Sequence, residues 1–277
     1  MKKTWIWILL AAFLLSACGI GGTQTEPTAQ PLETIQPTQA PTETTQATEP
    51  ATVPTTQPPE TTEATRPEHS ELYIPDLSVE DVILYFNEVC LDAEYVEDDS
   101  NVSVIQKWQD TIFYFIEGPA TEQDMEVLER FCAWLNEIPG FPGILPTDTA
   151  EAAGLRIHFC LKEEIPAMMG DNFQNSDGGV NIWWYLSNNQ IYDGTICCAT
   201  DIDQYVRNSV ILEEIFNGLG PLQDTQLRPD SISYSGFSTP QELTPVDALI
   251  LKLLYHPDIR GGMSAEECEQ VIRQLYY

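Results

Sequence analysis

Between Val210 and Asp224 the chain reads VILEEIFNGLGPLQD, and apolar Ile211, Ile215 and Leu219 recur at every fourth position. That spacing puts them on one face of a helix, predicted from about Asp203 to Leu219. Gly220, followed by Pro221, ends it, because glycine takes a left-handed cap without strain. Glu213 and Asn217 share a second face, with Glu214 beside them. Adjacent acids this close to a core-facing stripe cost free energy unless something local offsets them.

The same patterning predicts the other elements. Ser78 and Asp81 form a capping box that opens a helix with Val79, Ile83, Phe86 and Cys90 inward. Val102 to Trp108 and Thr111 to Ile116 read as strands. Thr121 caps a helix to Ile138 whose inner face carries Leu128, Phe131 and Leu135. Leu155 to Leu161, Gly179 to Leu186 and Gly194 to Ala199 are three more strands. Thr244 and Ser264 cap two closing helices. The order predicts an α+β fold, a mixed sheet with packed helices, over residues 71 to 277.

Composition adds the setting. Lys2 and Lys3 precede an apolar run from Trp5 to Leu15, too short to span a bilayer comfortably. The run ends in Leu15-Ser16-Ala17-Cys18, which resembles the bacterial lipobox, so residues 1 to 18 read as a lipoprotein signal. The resemblance implies that Cys18 is lipidated and becomes the new N-terminus, anchoring the protein outside the cytoplasm. Several acyl chains hold such an anchor durably.

Gly19 to Ser70 holds fifteen Thr and nine Pro and no Phe, Tyr or Trp. Such a stretch cannot bury enough surface to offset chain entropy, so it is predicted to be a disordered linker with a reach of roughly 40 Å. The domain after it has 9 basic and 36 acidic residues. Nucleic acid and anionic lipid are poor partners for a surface this negative.

Six cysteines follow Cys18: Cys90, Cys132, Cys160, Cys197, Cys198 and Cys268. The first three lie at apolar positions suited to buried thiols, and at most one disulfide is expected, involving Cys197 or Cys198. DNFQNSDGG, from Asp171, lacks the acid that an EF-hand needs at its twelfth place and reads as a turn. Trp183, Trp184 and Tyr185 lie on a strand, so alternate rings face opposite sides, and Trp184 is a candidate platform for a sugar ring.

The segment ILEEIFNGLGPLQD, then DSISYSG, then LTPVDALILKLLYHPDIRGGM, resembles a family of bacterial lipoproteins of unknown function. That family carries EE-L-x-Q-x-LG-L-x-ND, then SIF, then LT-x-x-D and LY-x-P-x-x-x-x-GM. Asn217 departs from its glutamine and Gln223 from its asparagine. A fainter resemblance is to the metzincin proteases, with HExxHxxGxxH and a following SIMxY turn. Glu213, Glu214, Asn217, Gly220 and Gln223 fall on those five motif positions, and Ser231-Ile232-Ser233-Tyr234 on the turn, without its methionine. This likeness implies a zincin-like fold.

The chemistry does not support zinc. Catalytic zinc takes imidazoles, or imidazoles with a carboxylate, and an open water position. The chain has only His69, His158 and His256, none at the required spacing. Three readings follow. In the first, a non-catalytic domain binds a partner at the cell envelope and needs no cofactor. Glu213 and Glu214 then cap backbone groups or bond the following loop, fixing the turn into Ser231. In the second, Glu213, Asn217 and Asp224 hold a hard cation and Glu214 activates water for hydrolysis. The third, a transporter's solute-binding lipoprotein, wants two repeated lobes, and no internal repeat is visible.

Overall fold

The computed structural model describes residues 6–7, 70–91, 103–237 and 239–277. These belong to one compact unit, Met1–Leu14 with His69–Tyr277. Cys18 and the Thr/Pro-rich linker up to His69 lie outside the described residues, as does Val102.

The elements in order are β1 (Ile6–Trp7), α1 (Val79–Leu91), β2 (Lys107–Trp108), β3 (Ile112–Glu117), α2 (Glu122–Leu135), β4 (Ile144–Pro146) and β5 (Leu155–Cys160). There follow α3 (Ile165–Met169), β6 (Gly178–Tyr185), β7 (Gln190–Ala199), α4 (Gln204–Gly218), α5 (Pro245–Leu254) and α6 (Ala265–Leu275). The sheet runs β1-β6-β7-β5-β3-β4, and β2 also pairs with β7. β7, β5, β3 and β4 are parallel, while β6 lies antiparallel to β7. The mixed sheet with packed helices is the predicted class.

Strand alternation sorts the side chains into two layers. One face of β6 and β7, with Val180, Ile182, Ile196 and Cys198, belongs to the main core. α4 packs on these strands and against α2. It approaches closely because it carries Gly218, where a Cβ would stand 3.3 Å from Ile196 Cδ1. The other face presents Cys160, Cys197 and Ala199 to a smaller cluster with Ile165, Met169 and Phe173.

Several predicted boundaries moved, and β7 begins at Gln190 where the strand was expected from Gly194. The strand expected over Val102 to Trp108 shrinks to two residues, because the chain before it bonds the C-terminal loop: Ile105 N–H donates to Met263 O at 2.9 Å and Gly262 N–H to Ile105 O at 2.8 Å. The helix expected to reach Ile138 closes at Leu135, with Asn136 as its C-cap. Asn136 also bonds both backbone groups of Ile144, at 2.8 and 2.9 Å, and so seats β4.

At the start of the unit, Ser70 O–H donates to Tyr276 O at 3.0 Å. The Tyr276 hydroxyl lies 3.1 and 2.8 Å from the carbonyl oxygens of Ile74 and Leu77. The first described residues of the domain are thus tied to its last helix.

Candidate functional site

α4 is capped by Asp203, whose carboxylate accepts from Tyr205 N–H at 2.9 Å. From Arg207 to Gly218 every residue of the helix is buried. A helix buried all round has no solvent face on which to place its polar residues. It ends where Gly220 adopts φ +124°, and a Cβ there would stand 2.6 Å from Gln106 O. Only glycine fits that turn.

This helix carries Glu213, Glu214 and Asn217 into the interior, and the chain after the turn brings Asp224 close by. Glu214 is fully excluded from water, and neither of its carboxyl oxygens has a hydrogen-bond partner. Both amide atoms of Asn217, equally buried, are also unpaired. Gly178 makes room for the carboxyl group: a Cβ there would lie 2.6 Å from Glu214 Oε1 and 2.4 Å from Val210 Cγ1.

Burial drives the Glu214 carboxyl far above its ordinary range, and Asp224 pushes it the same way. Glu213 is raised by burial first, then by Glu214, Asp224 and Asp177. Such groups hold their protons, because an isolated charge in a dry interior is costly.

The expectation that Glu213 and Glu214 bond the loop into Ser231 is overturned for Glu214, which accepts nothing. Asp247, at the N-terminus of α5, does that work instead. Its Oδ1 accepts from Tyr85 O–H at 2.7 Å and Ser231 O–H at 2.8 Å. Its Oδ2 accepts from Ile232 N–H at 3.2 Å, Thr244 N–H at 3.2 Å and Thr244 O–H at 2.8 Å. The turn so held returns to Thr225, whose N–H donates to Ser233 O at 2.8 Å. It therefore lies next to Asp224. Sequence reasoning saw Asp247 in the LT-x-x-D pattern, but nothing local announced Tyr85 as its partner.

The imidazoles lie with other partners. His158 Nδ1 is 2.8 Å from Glu117, and burial lowers its pKa. His256 faces Asp258 at 3.6 Å. Among the described residues no group of three or more His, Cys, Asp and Glu side chains is placed to hold a metal ion.

The turn at Asp171 forms as predicted, and its Asp177 pairs with Lys162 at 2.5 Å. Trp183 and Trp184 are both buried, so Trp184 is no exposed platform. The exposed ring of that strand is Tyr185, stacked on Tyr192 with centroids 4.3 Å apart.

The six domain cysteines are buried free thiols, so the bridge expected at Cys197 or Cys198 is not formed. A buried charge pair was also missed: Arg207 Nε donates to Asp124 Oδ1 at 2.8 Å. Burial would raise Asp124, but bonds from Gln204, the Thr121 backbone and Arg207 outweigh it and hold the carboxyl low.

The sequence model of a family described as "Protein of unknown function (DUF2927)" matches residues 80–274, and the chain belongs to that family. No curated protein matches the chain.

Proposed function

We propose that this member of the DUF2927 family is a lipoprotein anchored outside the cytoplasm through Cys18, displaying a zincin-like domain that works by binding or structural contact. The observation that carries the non-catalytic reading is the position of Glu214. The one carboxylate on the general-base position is sealed against Gly178 and Val210, beyond the reach of a substrate. A general base needs hydrogen-bond reach to the proton it takes, directly or through one water. The positions where a metzincin has imidazoles hold Glu213, Asn217 and Gln223. The lipobox-like leader and the Thr/Pro-rich stretch support anchoring and display. No helix among the described residues is long and apolar enough to cross a membrane.

Anchoring is tested by feeding cells a clickable fatty acid. Wild-type chain takes the label and stays with membranes, while Cys18→Ala is unlabelled and released; an unlabelled wild type refutes the anchor.

A second reading is favoured by the unpaired oxygens of Glu214 and Asn217. Here Glu213, Asn217 and Asp224 gather around a hard cation such as calcium, magnesium or manganese, and Glu214 activates water. The discriminating experiment adds each cation to wild type and to Glu214→Gln. A contact domain shows no cation-dependent rise in melting temperature and no peptide or wall-polymer hydrolysis. Hydrolysis by wild type alone, with cation present, would establish the second reading instead.

A further inference from the structure

Cys160 and Cys197 sit on neighbouring parallel strands, β5 and β7, on the face turned toward α3. Cys160 registers with Ala199 and Cys197 with His158. The thiols are therefore diagonal neighbours on one face. Cys197 is fully enclosed. Cys160 is slightly exposed, in the wall of a cavity of about 550 Å³ lined also by Glu163, Glu164, Ala167 and Met168.

The register decides which chemistry this pair suits. Strands about 4.8 Å apart with a rise of about 3.3 Å per residue put diagonal Cα atoms roughly 8 Å apart. A relaxed disulfide spans about 4.4–6.8 Å between Cα atoms and closes its sulfurs to about 2.05 Å. An ion that makes a bond of roughly 2.3 Å to each sulfur needs no such closure. The ion must be soft, because thiolate donors select such metals. The surroundings, Ile165, Met169 and Phe173, offer a hard hydrated ion little to replace its water.

We propose that Cys160 and Cys197 form a two-sulfur site for a soft monovalent cation of the Cu(I) or Ag(I) kind, entered from the cavity beside α3. Glu163 and Glu164 make the cavity mouth negative, and Met168 offers a thioether in its wall. Binding transfers no electron. The ion loses its water, two metal–sulfur bonds form, and two thiol protons leave to solvent.

The test uses full-length chain carrying Cys18→Ala, without oxygen, titrated with Cu(I) against a chromogenic Cu(I) chelator. One tight equivalent is expected, with two protons released into weak buffer and two sulfur neighbours in the copper X-ray absorption spectrum. Cys160→Ser and Cys197→Ser each remove that equivalent, whereas Cys198→Ser, equally buried on the opposite face, keeps it. Far-ultraviolet circular dichroism identifies any variant that fails to fold. In the parent chain, bound Ag(I) should slow alkylation of Cys160 but leave Cys268 unchanged. Nitrogen or oxygen neighbours, no tight equivalent, or retention of it in a folded Cys160→Ser or Cys197→Ser variant would overturn the site. So would ready oxidation of the parent chain to a Cys160–Cys197 disulfide.

Discussion

Asp247 and Glu214 are both wholly excluded from water, yet they live in opposite electrostatic worlds. Asp247 accepts five hydrogen bonds from Tyr85, Ser231, Ile232 and Thr244, and joins α1, the Ser231 turn and α5 in one knot. Glu214, on α4, accepts none. Burial alone does not say what a carboxyl group does. The donors around it do: a saturated one is structural, and an unsaturated one is a standing cost to the fold.

The comparison breaks most violently at Asp247. Asp247→Ala strands the Ile232 N–H and the part-buried Thr244 N–H, and takes an acceptor from the Tyr85 and Ser231 hydroxyls, which keep only each other and Ser233. Each stranded buried donor costs about 1–3 kcal/mol. Urea unfolding should show a loss above about 3 kcal/mol, or no folded protein at all. A loss below about 1 kcal/mol would mean that the knot is dispensable.

A smaller effect is due at Gly178. Gly178→Ala drives a methyl group into Val210 and the Glu214 carboxyl group, an overpacking that costs about 1–3 kcal/mol. Shortening the acid, in Gly178→Ala with Glu214→Ser, should recover part of that loss. A double-mutant cycle reads the coupling, and strict additivity would mean that the two groups do not meet.

The smallest effect concerns pH. Glu213 and Glu214 have folded pKa values raised above the ordinary 4.5, so the folded state binds more protons than the unfolded chain above that pH. Their contribution is fully present below about pH 4.5 and is lost as pH rises through the folded values. Unfolding midpoints of Glu214→Gln should therefore fall less steeply than those of wild type between pH 5 and 8. Parallel slopes in the two proteins would show that Glu214 does not titrate in the fold.

Much of this was legible in the chain because it rests on short-range chemistry. The caps Thr121, Thr244 and Ser264 all stand where the pattern put them. The glycine stop after α4 also holds. β4 escaped notice because it is three residues long, set off by Pro142 and Gly143, and carries no usable alternation. The truncation of β2 depends on Met263 and Gly262, some 150 residues away in sequence. At the site, the oddity of Glu213-Glu214 was plain, but what surrounds them was not. Gly178 and Asp224 reach Glu214 only through the folded sheet and the turn. The Cys160–Cys197 pair likewise follows from strand register, which composition does not encode.

The bonds joining Ser70, Ile74 and Leu77 to Tyr276 also set how the domain bears mechanical load. A pull on the chain before Ser70 would reach the end of α6 through Tyr276 before any strand of the sheet that follows in sequence.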